Sequence, residues 1–398
     1  MALKINKNVA VTTHIDFLRT LHPVGQGAFY TEVFKREDGT LFTMVYDCGT
    51  ETDSKILEAQ IADFKKGINQ IDLLFISHFH RDHISGLDKL LSGISVVKTV
   101  IPMLSEQMVT LARVQNLLQY KKAALATDDI INALYLSDDT LERFGEVIII
   151  KPDYSDLSEE GQWSVLERRK HVRSGSSIDG FESLWEYVPF NAVSIPNQRA
   201  IDFIEGLKHI PGALDDGCKL NVSKIIRGCR TKVKELYGRV MKGADENLYT
   251  MTVESRPSES LAMGSDPNVV REARCLYTGD FDSVGNGSLW NRFTTVYDYP
   301  GIGTVQIPHH GSRHNWRQEF LNGDPRRFFI SVGTTNTYHH PDFWVVKDVC
   351  DAKSHVDVIT EKKRRDKRYG TGLSISNSII DLGCITSENV YRLEGRKE

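Results

Sequence analysis

The chain has 398 residues, of which 40% are hydrophobic and 26% charged, and its formal net charge at pH 7 is −4. These values are typical of a globular protein and exclude a disordered chain, a collagen-like repeat and a coiled-coil rod. Because the overall charge is small, nucleic-acid binding would require a local basic patch.

The sequence predicts a protein outside the membrane. No stretch approaches the roughly 18 consecutive apolar residues that a spanning helix needs. The first residues lack the apolar core of a secretory signal, so we expect a cytoplasmic location. The six cysteines form no C-x-x-C pair, and we expect reduced thiols rather than a disulfide framework.

The first third of the chain alternates strand and helix patterns. Residues 28–34 and 41–46 predict a hairpin around a turn at 37–39. The elements predicted next are a helix over 54–66, a strand over 71–76, a helix over 85–91 and a strand over 96–101. Such alternation is typical of an α/β layered architecture.

The middle of the chain has a different pattern. Helical periods dominate at 109–125, 130–144 and 222–241, whereas 151–197 is irregular and polar. We interpret 103–246 as a mostly helical insertion that separates two halves of one domain, 1–102 and 247–398. Its basic cluster, 166–173, is interpreted as an exposed helix end. Strand patterns return over 275–278, 304–307, 328–332 and 356–360.

The segment Ser77-His78-Phe79-His80-Arg81-Asp82-His83 carries the strongest chemical signal. It reads H-x-H-x-D-H and directly follows the predicted strand over 71–76. Side chains two apart on an extended segment point to the same side, so the first two histidines can share one metal. Asp82 and His83, on the turn into a helix, can face a second metal. Three imidazoles and a carboxylate suit a first-row divalent ion.

This segment resembles the signature of the metallo-β-lactamase-fold hydrolases, and further motifs resemble one branch, the soluble hydrolase domain of the competence DNA-uptake proteins. These motifs are Val24-Gly25-Gln26-Gly27, Asp47-x-Gly49, Tyr277-Thr278-Gly279-Asp280, Ile307-Pro308-His309-His310-Gly311-Ser312, and the stretch that contains Gly333, Asn336, Tyr338, His340 and Pro341. The resemblance implies an αββα sandwich, of mixed α/β class, with a binuclear metal site between its two sheets.

The resemblance also implies roles for individual residues. His78 and His80 would bind the first metal, Asp82 and His83 the second, and Asp280 would bridge the two. A metal-bound hydroxide would be the nucleophile, because two cations lower the pKa of bound water. Because Asp82 would bind one of the ions that activate this water, it is predicted to be a catalytic residue as well as a ligand. Asp47 would orient a histidine ligand.

The roles of three further histidines stay open at this stage. His309 or His310 could donate a proton to the leaving group or could bind a metal. His340 is then the candidate for the last ligand of the second metal, with a structural histidine as the alternative. Many relatives have a further first-metal histidine, but only His171 and His209 lie between His83 and Asp280, and neither is in a ligand motif. Residues 247–253, which begin with Asn247, could correspond to that region.

The substrate is predicted from the branch resemblance and from two groups of residues. Residues 361–370 contain six basic and two acidic residues and include Arg364 and Arg365. Arg313, Trp316 and Arg317 follow the H-H-G-S motif, whose Ser312 could bind a phosphate or cap a helix. Both groups could bind a polyanion, although a solvated loop is an equal interpretation of 361–370.

Three functional hypotheses follow. The first is a metal-dependent nuclease or phosphodiesterase that acts on nucleic acid, with a protein partner that regulates it at the insertion. The second is a small-molecule hydrolase of the same fold, acting on a cyclic nucleotide or a lactone. The third is a metal-binding scaffold without catalysis. Two divalent ions are expected; the histidine-rich ligands favour Zn²⁺, with Mn²⁺ as the alternative.

Overall fold

The computed structural model describes residues 13–120, 124–136, 141–152, 169–195, 197–217, 219–242, 248–263, 265–285, 287–362 and 367–375. These residues form two β-sheets with helices, which confirms the predicted mixed α/β fold. The cysteines within these ranges are free thiols. Across the same ranges, every helix is too short or too polar to cross a lipid bilayer.

The first sheet contains eight described strands, in the order β15-β1-β2-β3-β4-β5-β6-β7. Their bounds are β1 (Thr13–Leu21), β2 (Phe29–Lys35), β3 (Leu41–Cys48), β4 (Gln70–Phe75), β5 (Ser95–Pro102), β6 (Glu146–Lys151), β7 (Lys170–Arg173) and β15 (Lys367–Ile375). The strands from β15 to β3 pair antiparallel, and those from β3 to β7 pair parallel.

The second sheet contains seven described strands, in the order β14-β13-β12-β11-β10-β9-β8. Their bounds are β8 (Ile178–Asp179), β9 (Trp185–Val193), β10 (Tyr249–Pro257), β11 (Cys275–Tyr277), β12 (Thr304–Gln306), β13 (Arg327–Ser331) and β14 (His355–Ile359). The strands β11 to β14 are parallel, and the strands β8 to β11 are antiparallel.

Helices connect the strands. They are α1 (Ser54–Phe64), α2 (Arg81–Ile84), α3 (Leu87–Leu91), α4 (Glu106–Tyr120), α5 (Ala124–Tyr135), α6 (Leu141–Phe144), α7 (Asn197–Lys208), α8 (Val222–Lys224), α9 (Arg230–Val240), α10 (Glu259–Met263), α11 (Pro267–Ala273), α12 (Gly287–Val296) and α13 (Phe343–Asp351). A π-helical turn, Ile225–Cys229, joins α8 to α9. The side chain of Asp53 accepts a hydrogen bond from the Lys55 backbone N–H and caps α1.

Three apolar clusters define the layers of the fold. Successive strand residues point to opposite faces, so Val45 and Leu74 pack beneath the helices of the first sheet, while Met44 and Leu73 face the second sheet. The middle cluster takes residues from both sheets and is their shared core. A third cluster packs the outer face of the second sheet against α12 and α13. The order is therefore helix, sheet, sheet, helix.

Residues 103–246, which the sequence predicts as a mostly helical insertion, contain strands as well as helices. That segment contains α4 to α9, but it also supplies β6 and β7 to the first sheet and β8 and β9 to the second. Pro189 and several polar residues interrupt the apolar–polar alternation that would predict β9 as a strand. Strands β7 and β8 are too short to show such an alternation. Strands β1 and β15 were also not predicted, and they pair with each other over nine residues.

The functional motifs lie at one edge of this sandwich. Asp47 is at the carboxyl end of β3, and the H-x-H-x-D-H segment follows β4 in the same sheet. In the second sheet, Asp280 follows β11 and the two adjacent histidines follow β12. Carboxyl ends of parallel strands meet at the same edge of a sheet, where open α/β folds bind ligands.

Candidate metal centre

The H-x-H-x-D-H segment is almost entirely buried. His78 and His80 extend from the end of β4, and His80 is the residue before α2, with φ −73° and ψ 152°. Asp82 and His83 are in the first turn of that helix. His78 and His83 are at most 1% exposed, and His80 and Asp82 at most 9%. Burying so many ionisable groups is costly unless they are paired with charges or bind a metal.

Two groups of side chains have the ligand atoms needed to hold a metal. The first group is His78, His80 and Asp280, and the second is Asp82, His83, Asp280 and His310. Within each group the candidate ligand atoms all lie within 4.8 Å of one another. Asp280 belongs to both groups, so its carboxylate lies between them.

The outer contacts of His83 and His78 fix which ring nitrogen faces the centre. His83 Nδ1 lies 2.7 Å from Asp47 Oδ2, and a carboxylate only accepts, so this nitrogen donates. The Ser77 hydroxyl donates to the same oxygen at 2.6 Å and therefore accepts from His78 Nδ1 at 3.0 Å. The Nε2 atoms of both histidines are left to point inward.

The inward-facing atoms lack hydrogen-bond donors. His83 Nε2 is 3.3 Å from Asp280 Oδ1, and His78 Nε2 is 3.4 Å from Asp280 Oδ2. Both nitrogens and Asp280 Oδ1 are buried without a hydrogen-bond partner. The lone pair of an imidazole nitrogen and a carboxylate oxygen repel each other unless a proton or a cation lies between them. The donor set therefore fits divalent metal ions.

The ring of His310, which lies on a strained turn, is also fixed by a hydrogen bond from Nδ1, so that its Nε2 faces the metal-ligating groups. Its Nδ1 donates to the Ser331 carbonyl at 2.7 Å, and its Nε2 lies 3.0 Å from Asp82 Oδ2. His309 and His310 have φ values of 47° and 54°, in the left-handed region. Each such residue costs on the order of 1–3 kcal/mol, and strain of this kind concentrates at functional sites.

The electrostatics of the two groups differ. Burial lowers the pKa of His80 to about 4 and also lowers that of His78, so both are neutral at pH 7. Burial opposes the charged form of His83 and His310 too, but Asp82 and Asp280 outweigh it and raise both pKa values. The neighbouring histidines in turn lower the pKa of Asp82 and Asp280, despite their burial.

Two of the predicted histidines lie at the rim instead. His309 Nε2 is 3.9 Å from Asp280 Oδ2, and its Nδ1 is 2.8 Å from Asn315 Oδ1. The His340 ring lies 5.6 Å from the His309 ring and is outside both metal-ligating groups. His340 is partly buried, and burial with the nearby His309 lowers its pKa to about 4.

The predicted phosphate-binding residues after the H-H-G-S motif are engaged elsewhere. Ser312 is buried, and Trp316 is 5% exposed and stacks on Phe320. Arg313 pairs with Asp348 at 2.9 Å, and Arg317 donates to the Ser283 carbonyl. Of these residues Arg313 stays exposed, with 46% of its side chain accessible, whereas Ser312 and Trp316 are buried. Arg364 and Arg365 lie outside the described residues.

The first group has no third histidine among the described residues. His171 is on β7 and His209 follows α7, and neither joins a metal-ligating group. Asn247 lies outside the described residues.

On β10, near the first metal-ligating group, the buried Thr250 hydroxyl has no hydrogen-bond partner. A Cβ placed on Gly279 would lie 2.7 Å from that hydroxyl oxygen, so the hydroxyl is next to Asp280 in the fold.

Sequence reasoning missed two contacts that the insertion makes with the site. On α4, Asn116 Nδ2 donates to the Phe79 carbonyl at 2.8 Å, and the Tyr120 hydroxyl donates to Glu51. Residues at i and i+4 share one face of a helix, so their spacing within the predicted helix was the available signal. Burial and the nearby Asp82 raise the pKa of Glu51. Ser77 was missed as well, although it directly precedes the motif.

Comparisons with known proteins point to one superfamily. A family model described as the metallo-beta-lactamase superfamily matches residues 36–153. A comparison with curated proteins gives no match. The segment 36–153 is therefore similar to the metallo-β-lactamase superfamily, and this match, the two-sheet fold and the paired histidine–carboxylate groups support a metal-dependent hydrolase.

Three solved structures are similar at low identity. The metallo-beta-lactamase fold protein YhfI from Bacillus subtilis is 8% identical, with a TM-score of 0.35, over 89% of this chain and 99% of that one. A diphosphatase from the PhnP family is 9% identical, with a TM-score of 0.34, over 90% and 99%. A long form RNase Z from yeast is 8% identical, with a TM-score of 0.38, over 96% and 50%. Similarities this low carry no information on the substrate.

Proposed function

We propose that this protein is a metal-dependent phosphodiesterase that cleaves nucleic acid. The observation that carries the proposal is the pair of metal-ligating groups that share the Asp280 carboxylate. A site of this kind can hold two divalent ions side by side, as two-metal phosphodiesterases require. The histidine-rich ligand set favours Zn²⁺, with Mn²⁺ as the alternative.

The chain's own residues would have distinct tasks in this reaction. His78, His80 and Asp280 would hold one ion, and Asp82, His83, Asp280 and His310 the other. When bound, these ions would lower the pKa of water and polarise a phosphoryl oxygen. Asp47 and Ser77 fix the ring orientations of His83 and His78. These bonds hold the ligands in place before the metal arrives.

His309 is the best-placed proton donor. It lies beside the shared Asp280 but is not part of either metal-ligating group, and its side chain is 24% exposed. Its Nδ1 is held by Asn315, so its Nε2 is directed toward the centre. We assign to this nitrogen the protonation of the leaving oxygen, which a general acid near neutral pH performs.

A basic segment supports nucleic acid as the substrate. Residues 361–370 carry six basic side chains. The segment begins at Glu361, whose carboxylate accepts from the Thr334 backbone N–H at 3.0 Å. Thr334 belongs to the loop after β13 that leads to His340, so the basic segment starts next to the site. Such a segment can bind a phosphate backbone.

The contact between Tyr120 and Glu51 favours a second candidate. This contact brings the insertion over the loop after β3, beside the second metal-ligating group. A lid of this kind would suit a small-molecule hydrolase, acting on a cyclic nucleotide or a lactone. A protein partner at the insertion and a cytoplasmic location both remain predictions from the sequence.

A cleavage panel tests the proposal. The purified protein would be incubated with single-stranded DNA, duplex DNA, RNA and an aryl phosphodiester, each with Zn²⁺, Mn²⁺ or Mg²⁺. We expect metal-dependent polymer cleavage that Asp82→Ala abolishes and Asp63→Ala, an exposed change on α1, retains. Hydrolysis of the aryl ester alone would favour the second candidate. No activity in a metal-loaded protein would favour the scaffold hypothesis and overturn the proposal.

A further inference from the structure

We propose that Tyr338, Phe343 and Trp344 form a stacking platform for the unpaired bases of a single-stranded nucleic acid. The platform is defined as these three side chains of the segment 338–344. The Phe343 and Trp344 rings are 5.4 Å apart, and the backbone N–H of the neighbouring Asp342 donates to the carbonyl of Gly311, the residue after His310. The inference rests on the proposed function and deepens it, because it specifies a single strand as the substrate.

The exposure of these side chains is the first observation. Phe343 is 70% exposed, Trp344 55% and Tyr338 49%. In the described part of the chain, the remaining large hydrophobic side chains with such exposure are aliphatic: Val97, Leu125, Leu136, Met263 and Val284. The exposed aromatic rings of the described chain are therefore concentrated in one segment of seven residues, 338–344. Every base has a π-face, so rings of this kind bind single strands without reading their sequence.

Hydrogen bonds order the backbone of the segment that carries the rings. Asn336 Nδ2 donates to the Gly333 and His340 carbonyls at 2.6 and 2.8 Å. The Asp342 backbone N–H donates to the Gly311 carbonyl at 3.0 Å. The Asp342 side chain caps α13 by accepting from the Trp344 backbone N–H at 2.8 Å. Because these bonds order the backbone before binding, less entropy is lost when a ligand binds.

A series of ring contacts joins Tyr338, one member of the platform, to the metal centre. The Tyr338 ring stacks on His340 with 5.9 Å between centroids and 14° between planes. The His340 ring is 5.6 Å from that of His309, and His309 Nε2 is 3.9 Å from Asp280. A strand whose bases lie on the platform would therefore have its backbone near the shared carboxylate.

The sequence that follows the Glu361 contact favours a nucleic acid over a protein partner. The loop that carries Tyr338 is bonded through Thr334 to Glu361, the first residue of the basic segment 361–370. Basic side chains for phosphates and aromatic rings for bases are the two elements of a single-strand binding surface.

Equilibrium binding tests the platform separately from cleavage. The metal-loaded full-length protein would be titrated into fluorescent single-stranded oligonucleotides of about 12 nucleotides. They would have a hydrolysis-resistant phosphorothioate backbone and carry either thymine bases or abasic sites. We expect the thymine strand to bind the parent about tenfold or more tightly than the abasic strand. The variant Phe343→Ala/Trp344→Ala should lose this preference, whereas Met263→Ala, an exposed change elsewhere, should keep it.

The outcomes separate the platform from the proposed function. Equal binding of both strands by a parent that cleaves polymers would overturn the platform and leave the proposed function standing. A base preference that survives in the double variant would overturn the platform too. A parent that neither binds nor cleaves any polymer would overturn both. If duplex DNA bound as tightly as the single strand, the assignment of a single-stranded substrate would be wrong.

Discussion

Asp280 is the residue on which both metal-ligating groups depend. Its carboxylate belongs to the histidine pair on one side and to Asp82, His83 and His310 on the other. Its two oxygens lie 3.3 Å from His83 Nε2 and 3.4 Å from His78 Nε2. A change at this position should therefore disturb both ions, whereas a change at His80 should disturb one.

Asp280→Asn should lower the metal content from two equivalents to less than one, and hydrolysis should fall by a factor of at least about 100. The amide keeps the size of the side chain but loses its charge. His80→Ala should retain one tightly bound ion, since the second group stays intact. Elemental analysis of the purified variants measures both contents. Equal metal loss in the two variants would contradict the shared role of Asp280.

Asp47 fixes the orientation of the His83 ring, which the proposed function assigns to a metal. Its Oδ2 accepts from His83 Nδ1 at 2.7 Å, and its Oδ1 accepts from the Ser77 backbone N–H at 2.7 Å. Asp47 has a φ of 57°, a conformation that asparagine also tolerates. Asp47→Asn should lower Zn²⁺ affinity about 10–100-fold while the protein stays folded. Competition with a chromogenic chelator measures this affinity, and unchanged affinity would show that the bond is only structural.

The affinity of the second group for Zn²⁺ should depend on pH. Imidazole must be neutral to bind a metal, and nearby carboxylates raise the pKa of His83 and His310 despite burial. Protons on these rings must leave when the ion binds, so affinity should rise as the pH rises through neutrality. His78 and His80 have lowered pKa values and should add little to this dependence.

The variant His80→Ala isolates the second group for this measurement. Zn²⁺ affinity would be determined by calorimetry at about pH 6 and about pH 8, on either side of the ordinary histidine pKa. We expect tighter binding at the higher pH and a net release of protons. Equal affinity at the two pH values would mean that His83 and His310 are neutral before the metal binds.

At the scale of elements, one buried carboxylate joins the two sheets. Glu32 on β2 accepts hydrogen bonds from four donors in β1, β9, β10 and β11. These are Arg19 Nε at 2.7 Å, Tyr187 OH at 2.9 Å, Ser255 Oγ at 2.7 Å and Tyr277 OH at 2.9 Å. Both members of the Arg19–Glu32 ion pair are at most 2% exposed. The pair therefore has no access to water if it is broken.

Glu32→Gln should lower the free energy of unfolding by about 3–5 kcal/mol, because the buried Arg19 charge loses its counterion. Urea unfolding followed by circular dichroism measures this change. The matched control is Glu58→Gln, whose exposed pair with Lys89 should contribute less than about 1 kcal/mol. Similar losses in the two variants would contradict the role assigned to the buried pair.

The insertion is part of the fold at the scale of the whole molecule. Strand β9 pairs with β10 over nine residues, and β6 pairs with β5. On α4, Asn116 and Tyr120 bond to the loops that carry the site. Without residues 103–246, both sheets would lose strands and expose unpaired edges.

Replacement of 103–246 by a short glycine–serine linker should therefore give an unfolded or aggregated protein. Circular dichroism and size-exclusion chromatography measure the outcome. The milder variant Asn116→Ala keeps all strands and should remain folded, with reduced hydrolysis because the Phe79 carbonyl loses its bond. A folded, metal-binding deletion variant would show that the insertion is an independent unit.

The sequence by itself determined the features that depend on neighbouring residues. The H-x-H-x-D-H segment spans six residues shortly after a buried strand, so its spacing alone predicted a metal-binding cluster. The strands at β2 to β5 and β11 to β14 were predicted because their apolar runs are short and bounded by turn residues. The mixed α/β class followed from that order, and the resemblance to the metallo-β-lactamase-fold hydrolases rested on the motifs.

Only the tertiary structure decided which distant residues meet. Asp82 and His310 are 228 positions apart, and no local pattern distinguishes His310 from His309. The backbone turn after β12 does so, by directing one ring to Asp82 and the other to the rim. The burial of Trp316 and the exposure of Phe343 and Trp344 are also consequences of packing. Spacing in a sequence specifies local geometry, whereas contacts across a core depend on how the layers pack.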